Sequence, residues 1–153
     1  MENLKKKVTC IIQARMSSKR LPGKVLKLID GKNSFLKFLI DRVKKSKKID
    51  RIVIACSKNP NDKKIVSFCK RNKLDYFTGT EKNVLKRFYY ASKSYASENI
   101  LRITSDCPFI DPKLIDKFII TYFKKNVDYL SNIEKRTYPD GLDLEIFNKK
   151  SLI

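Results

Sequence analysis

Chemistry in this chain is concentrated in three short polar segments. The first runs Gln13-Ala14-Arg15-Met16-Ser17-Ser18-Lys19-Arg20-Leu21-Pro22-Gly23-Lys24. It holds four cations within ten residues, two hydroxyls and a Pro-Gly turn. Arginine offers forked donors to phosphate oxygens and lysine a compact charge, so such a loop suits a triphosphate. It is not the GxxxxGK[ST] of a P-loop, and its single glycine rules out a GxGxxG fingerprint. An ordinary basic surface loop has the same composition, and composition leaves that reading open.

The second segment is Thr104-Ser105-Asp106-Cys107-Pro108. A carboxylate at Asp106, facing a cationic phosphate loop, has the chemistry of a Mg²⁺ ligand for a nucleotide. Equally, Asp106 could only make the turn before Pro108. The third segment holds Asp143 and Glu145, two residues apart in an alternating run. On a strand they would share one face, roughly 7 Å apart from a rise of ~3.3 Å per residue. They could share a metal or a polar acceptor, or form the solvated side of an edge strand. The chain has no histidine, which excludes His-based triads, His metal sites and imidazole bases.

These segments need elements to hold them. Val8–Ile12 is a short, nearly continuous apolar run, as a strand buried on both faces should be. Ile52–Cys56, Leu74–Phe77 and Ile100–Thr104 read as further strands, and Val127–Leu130 as a weak fifth. Between them lie helical stripes: Leu36, Leu39, Ile40 and Val43 behind a Ser34 cap; Ile65, Val66, Phe68 and Cys69; Leu85, Phe88 and Tyr89; and Ile115, Phe118, Ile119 and Tyr122. Asp111-Pro112 reads as an N-cap followed by Pro at the first helical position. Strands alternating with helices imply βαβ units and a mostly parallel sheet covered on both faces. Leu142, Leu144 and Ile146 alternate with Asp143 and Glu145, which predicts a last strand over Leu142–Phe147. In an open parallel sheet, ligands bind beyond the carboxyl ends of the strands where strand order reverses. The loops after strands one and four are therefore the first candidates for a site.

The 153 residues suit one domain, 1–153, with a core large enough to need no disulfide or metal. Lys and Arg total 35 against 16 Asp and Glu, a net charge of +19 that attracts polyanions. The lysines are spread along the chain and Arg is not clustered, which favours a solvated surface over a nucleic-acid footprint. Cys10, Cys56, Cys69 and Cys107 lack CxxC spacing and sit mostly in apolar stretches. A reducing cytoplasm is the expected compartment. No apolar run approaches the ~20 residues that span a bilayer. Ile153 follows closely on the last strand, and a truncated gene or fragment is expected.

The first segment resembles the signature of the cytidylyltransferases that activate acidic sugars. The nearest resemblance is to the spore-coat polysaccharide (SpsF-like) branch, which is similar to CMP-Kdo and CMP-sialate synthetases. Arg102-Ile103-Thr104-Ser105-Asp106-Cys107-Pro108, Ile110-Asp111-Pro112 and Arg136 to Glu145 fit the same branch in order. The resemblance implies a GT-A-like nucleotide-diphospho-sugar transferase fold, three-layer α/β/α and Rossmann-like, incomplete at its C-terminus. It implies CTP as substrate and Mg²⁺ as cofactor. The backbone near Gln13 and Ala14 would hold the cytidine. Arg15, Ser18, Arg20 and Lys24 would hold the triphosphate, with Arg15, Lys24 and Asp106 central to catalysis. Asp106 would bind the metal. Arg102 and the Gly79–Val84 segment would line the base or ribose side. Tyr138, Asp140, Asp143 and Glu145 would face the acceptor, a small acidic sugar or a polyol phosphate.

Relatives of this kind continue further and carry another metal-binding aspartate near a segment resembling VDTPEDF, which this chain lacks. A nucleotide-binding remnant, or half of a split enzyme paired with a complementing C-terminal chain, is the alternative, and a homodimer is a further expected partner. A basic nucleic-acid-binding domain is a further class. A glycosyltransferase on the same fold would want a DxD metal motif after strand four, and Asp106-Cys107-Pro108 is not one.

Overall fold

The computed structural model describes residues 6–18, 20–136 and 138–152. Its first strand, β1 (Val8–Gln13), is buried from Val8 to Ile12. Parallel neighbours flank it: β2 (Arg51–Ser57) on one side and β4 (Asn99–Thr104) on the other. β3 (Asp75–Gly79) adds to β2, again parallel. Beyond β4 the sheet continues with β6 (Glu145–Asn148) and then β5 (Tyr129–Ser131), giving the order β3-β2-β1-β4-β6-β5. β6 is antiparallel to both of its neighbours, so β5 runs the same way as β4. The sheet is thus mostly parallel, as the alternation of strands and helices implied.

Period-two burial divides the core. Cys10, Ile12, Ile54, Leu101, Ile103 and Ile146 face one side. There they meet α1 (Phe35–Val43), α2 (Lys63–Arg71) and α4 (Pro112–Lys125). Ile11, Val53, Ala55, Ile100 and Phe147 face the other side, against Phe88 and Ala91 of α3 (Val84–Ser94). These are the three expected layers. The helices start where the caps were read. Ser34 Oγ accepts the Lys37 N–H at 3.2 Å, and Asp111 accepts the Lys113 N–H at 2.9 Å ahead of Pro112. Ser34→Ala should cost about 1 kcal/mol, the usual worth of such a cap. The measurement is the urea midpoint at unchanged slope; no shift would mean that the α1 cap is dispensable.

Three strands differ from their sequence reading, among them β5, which begins at Tyr129 rather than Val127. β3 starts at Asp75 and runs to Gly79, because β2 extends to Ser57 and the ladder follows it there. β6 starts at Glu145, three residues later than the alternation suggests. The cause is Asn132, whose Oδ1 takes the Leu144 N–H at 2.8 Å while its Nδ2 donates to the Leu142 carbonyl at 2.8 Å. A side chain thus replaces the neighbouring strand before the ladder begins. Leu144 and Ile146 are still fully buried, so the apolar half of the alternation holds.

Candidate functional site

From β1 the chain crosses to β2 on one side, and β4 lies on the other. Strand order therefore reverses between β1 and β4, and a crevice opens beyond their carboxyl ends. Its volume is about 920 Å³, within the size range of small-molecule sites. One wall is the loop after β1 and another is the loop after β4, as the strand alternation led us to expect. Gln13, Arg15, Ser18, Arg20, Lys24 and Asp106 all line it.

The first loop is folded back on one residue. The Met16 carbonyl accepts both the Ser18 N–H at 3.0 Å and the Gly23 N–H at 2.9 Å. Ser18 Oγ accepts the Leu21 N–H at 3.3 Å. Gly23 closes the turn at φ +71°, a left-handed conformation that glycine adopts without strain. Lys24 then begins a short 3-10 turn, its ammonium 5.2 Å from the Phe35 ring centre. The result presents Arg15, Arg20 and Lys24 to one cavity. Lys19 lies outside the described residues.

The second loop is tied to the first. Ser105 N–H donates to the Gln13 carbonyl at 2.9 Å, and Arg42 Nε of α1 donates to the Ile110 carbonyl at 2.8 Å. Asp106 is exposed, and among the described residues no ion pair ties up its carboxylate. Burial pushes the neighbouring Cys107 thiol up, offset in part by its contact with the Thr104 hydroxyl. No group of three metal-binding side chains occurs among the described residues. A single exposed carboxylate beside a phosphate loop fits Mg²⁺, which is typically held by one or two carboxylates plus substrate phosphates.

Other residues singled out in the sequence lie elsewhere. Ala14 is buried, and its N–H continues the ladder to the Ala55 carbonyl at 3.0 Å. Arg102 pairs with Glu145 through Nη1, donates from Nη2 to Gln13 Oε1 at 3.2 Å, and lies over the Phe88 ring at 5.9 Å. Glu145 also accepts the Tyr129 hydroxyl at 2.8 Å. Arg102 thus joins Gln13, in the crevice, to Glu145, outside it. Asp140 and Asp143 share Arg136, at 3.0 and 3.4 Å. Asp143 precedes β6, so it does not share a strand face with Glu145. Tyr138 packs against the core. None of these four acceptor candidates lines the crevice. In the Gly79–Val84 segment, Thr80 is held by Arg87 Nη1 at 3.0 Å. A Cβ on Gly79 would come within 2.8 Å of Arg87 Cγ, so glycine is required by close packing. Burial pulls the Arg87 guanidinium below its ordinary range, offset in part by Cys56 and Asp62.

The crevice also has a third wall. Asn61 and Lys64, from the turn after β2 and the start of α2, line it with Thr104 and Ser105. Nothing in the sequence singled them out, since lysine is common throughout. The topology could have found them, because the loop after β2 opens at the same sheet edge as the other two. With Lys64, four described cations face one carboxylate across a switch-point crevice. That is the architecture of an α/β nucleotide-binding protein. Among the described residues no helix is long and apolar enough to cross a membrane.

A family model described as cytidylyltransferase matches residues 9–153. The chain belongs to the cytidylyltransferase family. It is 42% identical over 146 residues to an uncharacterised protein of Methanocaldococcus jannaschii, covering 95% of this chain and 58% of that one. It is 38% identical over 147 residues to the spore coat polysaccharide biosynthesis protein SpsF of Bacillus subtilis, covering 94% and 60%. Among solved structures, a cytidylyltransferase from Leptospira borgpetersenii superposes with a TM-score of 0.89 at 35% identity, covering 95% and 62%. The chain therefore spans about three-fifths of the length of these relatives.

Proposed function

We propose that this chain binds CTP in the crevice and is the nucleotide-binding part of an enzyme that transfers CMP to an acidic sugar or a polyol phosphate. The observation that carries the reading is the folded cationic loop facing Asp106 at the sheet's switch point. Membership of the cytidylyltransferase family supports CTP as the nucleotide. The likeness to a spore coat polysaccharide biosynthesis protein supports a place in surface polysaccharide or glycoconjugate synthesis. An intracellular nucleotide as substrate supports a cytoplasmic reaction.

In this reading Arg15, Arg20 and Lys24 grip the triphosphate, with the Ser18 turn shaping the loop beneath it. Gln13 and Ala14 lie on the cytidine side, and Arg102 holds the Gln13 side chain in place. Asp106 would hold Mg²⁺ carried with the triphosphate, and that cation, when bound, neutralises charge on the phosphate oxygens. An oxygen of the acceptor forms a bond to the α-phosphorus as the bond to the bridging oxygen of pyrophosphate breaks. An acceptor hydroxyl loses its proton to solvent. Arg15 and Lys24 stabilise the charge that develops on the transferring and leaving groups, which is where most of the rate enhancement arises in phosphoryl chemistry. Tyr138, Asp140, Asp143 and Glu145 belong to the acceptor side, with Glu145 acting through Arg102.

Calorimetry with CTP, ATP, GTP and UTP, with and without Mg²⁺, tests the reading. CTP should bind at least tenfold tighter than the others, and tighter with Mg²⁺ than without. Equal binding of all four, fading together as salt is raised, would identify a general polyanion surface instead.

A further inference from the structure

Asp62 lies in the short turn between β2 and α2 and is 2% exposed. A carboxylate this deeply buried is costly unless its oxygens are hydrogen-bonded. Both are. Oδ1 accepts the Met16 N–H at 2.7 Å. Oδ2 accepts the Ser57 N–H at 3.0 Å and the Ser57 hydroxyl at 2.6 Å. Ser57 Oγ in turn accepts the Asn59 N–H at 3.1 Å. Asp62 stands at the N-cap position of α2, where an aspartate ordinarily caps, yet its side chain makes no bond to that helix. Its carboxylate is directed instead across 46 residues of sequence to the loop after β1.

Met16 is the residue on which that loop turns, because its carbonyl holds both Ser18 and Gly23. Asp62 grips the N–H of the same residue. It thereby fastens the loop's pivot to the end of β2, next to Arg15 and ahead of Arg20 and Lys24. An acid so close to an anion site opposes direct phosphate binding, so the placement makes sense as a backbone anchor rather than a ligand contact. We infer that Asp62 is a positioning residue that holds the cationic loop in its ligand-ready shape. As a nucleotide-site residue it rests on the function proposed above; as a loop anchor it does not.

Asparagine separates the two. It keeps the size of aspartate but offers one acceptor oxygen and a donor amide. If its oxygen stays on Met16, its amide faces the Ser57 N–H, donor against donor. Hydrogen exchange of the ligand-free chain, and CTP–Mg²⁺ calorimetry, would be run on wild type, Asp62→Asn and Ser57→Ala. In Asp62→Asn, exchange should rise at least tenfold at the Met16, Ser18, Gly23 and Lys24 amides and stay unchanged in β1, β2 and β4, while CTP affinity falls about tenfold. Ser57→Ala keeps the Met16 bond and should stay within threefold of wild type in both. Unchanged loop exchange in Asp62→Asn, protection lost across the whole sheet, or a Ser57→Ala variant as impaired as Asp62→Asn would each overturn the inference. Should Asp62→Asn not fold, the wild-type Met16 amide decides. It should be the most protected amide of residues 15–22, and fast exchange there refutes the anchor. Absence of CTP binding by wild type would count against the nucleotide site and leave the exchange result standing.

Discussion

Asp106→Ala should weaken CTP binding in Mg²⁺ by on the order of a hundredfold, while leaving binding without metal equal to wild type or slightly tighter. The two signs come from the same side chain. Asp106 is the carboxylate facing Arg15, Arg20, Lys24 and Lys64 across the crevice. Without a metal it repels the triphosphate, so removing it relieves repulsion. With Mg²⁺, in the proposed reading, it would supply an oxygen ligand from the protein, and no cluster of three metal-binding side chains among the described residues offers a substitute. Folding should not confuse the result. Among the described residues the Asp106 carboxylate accepts only a long contact, 3.9 Å from the Cys107 thiol, and the turn is held by the Cys107 N–H to the Thr104 carbonyl at 3.1 Å. Calorimetry in Mg²⁺ and in chelator, with a thermal melt of each protein, makes the comparison. Equal losses in both buffers would make Asp106 a nucleotide contact, and no loss in Mg²⁺ would move the metal elsewhere.

The parts of this site that could be read from sequence are those where local pattern and topology agree. The buried run at Val8–Ile12 and the stripe behind Ser34 predict β1 and α1, and the reversal of strand order then places the crevice. Arg15 and Asp106 follow, because each sits in the first polar residues after a readable strand, and Lys24 follows from the same loop's Pro-Gly turn. The anchor at Asp62 did not follow. Its partner is 46 residues away, and in sequence it resembles any turn aspartate before a helix. Lys64 was hidden by the surplus of lysine, which removes the contrast that makes one cation informative. The partner of Glu145 was hidden for another reason. Alternation shows which side of a strand a residue faces but not what is opposite. Register alone sets Glu145 against Arg102 on β4 and Ser131 on β5.

That register leads to the second large effect. Glu145→Ala should lower the unfolding free energy by about 2–3 kcal/mol, toward the lower end for breaking a buried ion pair. The two side chains are 30% and 17% exposed, so water softens the loss without removing it. Two groups lose a partner, Arg102 Nη1 and the Tyr129 hydroxyl, on a guanidinium whose Nε is already buried without a hydrogen bond. Replacing both charges at once is a different matter. Arg102→Met with Glu145→Leu removes the desolvation cost together with the attraction, beside the apolar Phe88 and Phe147 on the same sheet face. The double variant should therefore recover at least half of the single loss, a coupling of roughly 1 kcal/mol or more. Urea denaturation of wild type, Arg102→Met, Glu145→Leu (in which the pair is broken as in Glu145→Ala) and the double variant completes the cycle. Additive losses would mean that Arg102 and Glu145 do not stabilise each other, and Glu145 would then be free to meet an acceptor directly.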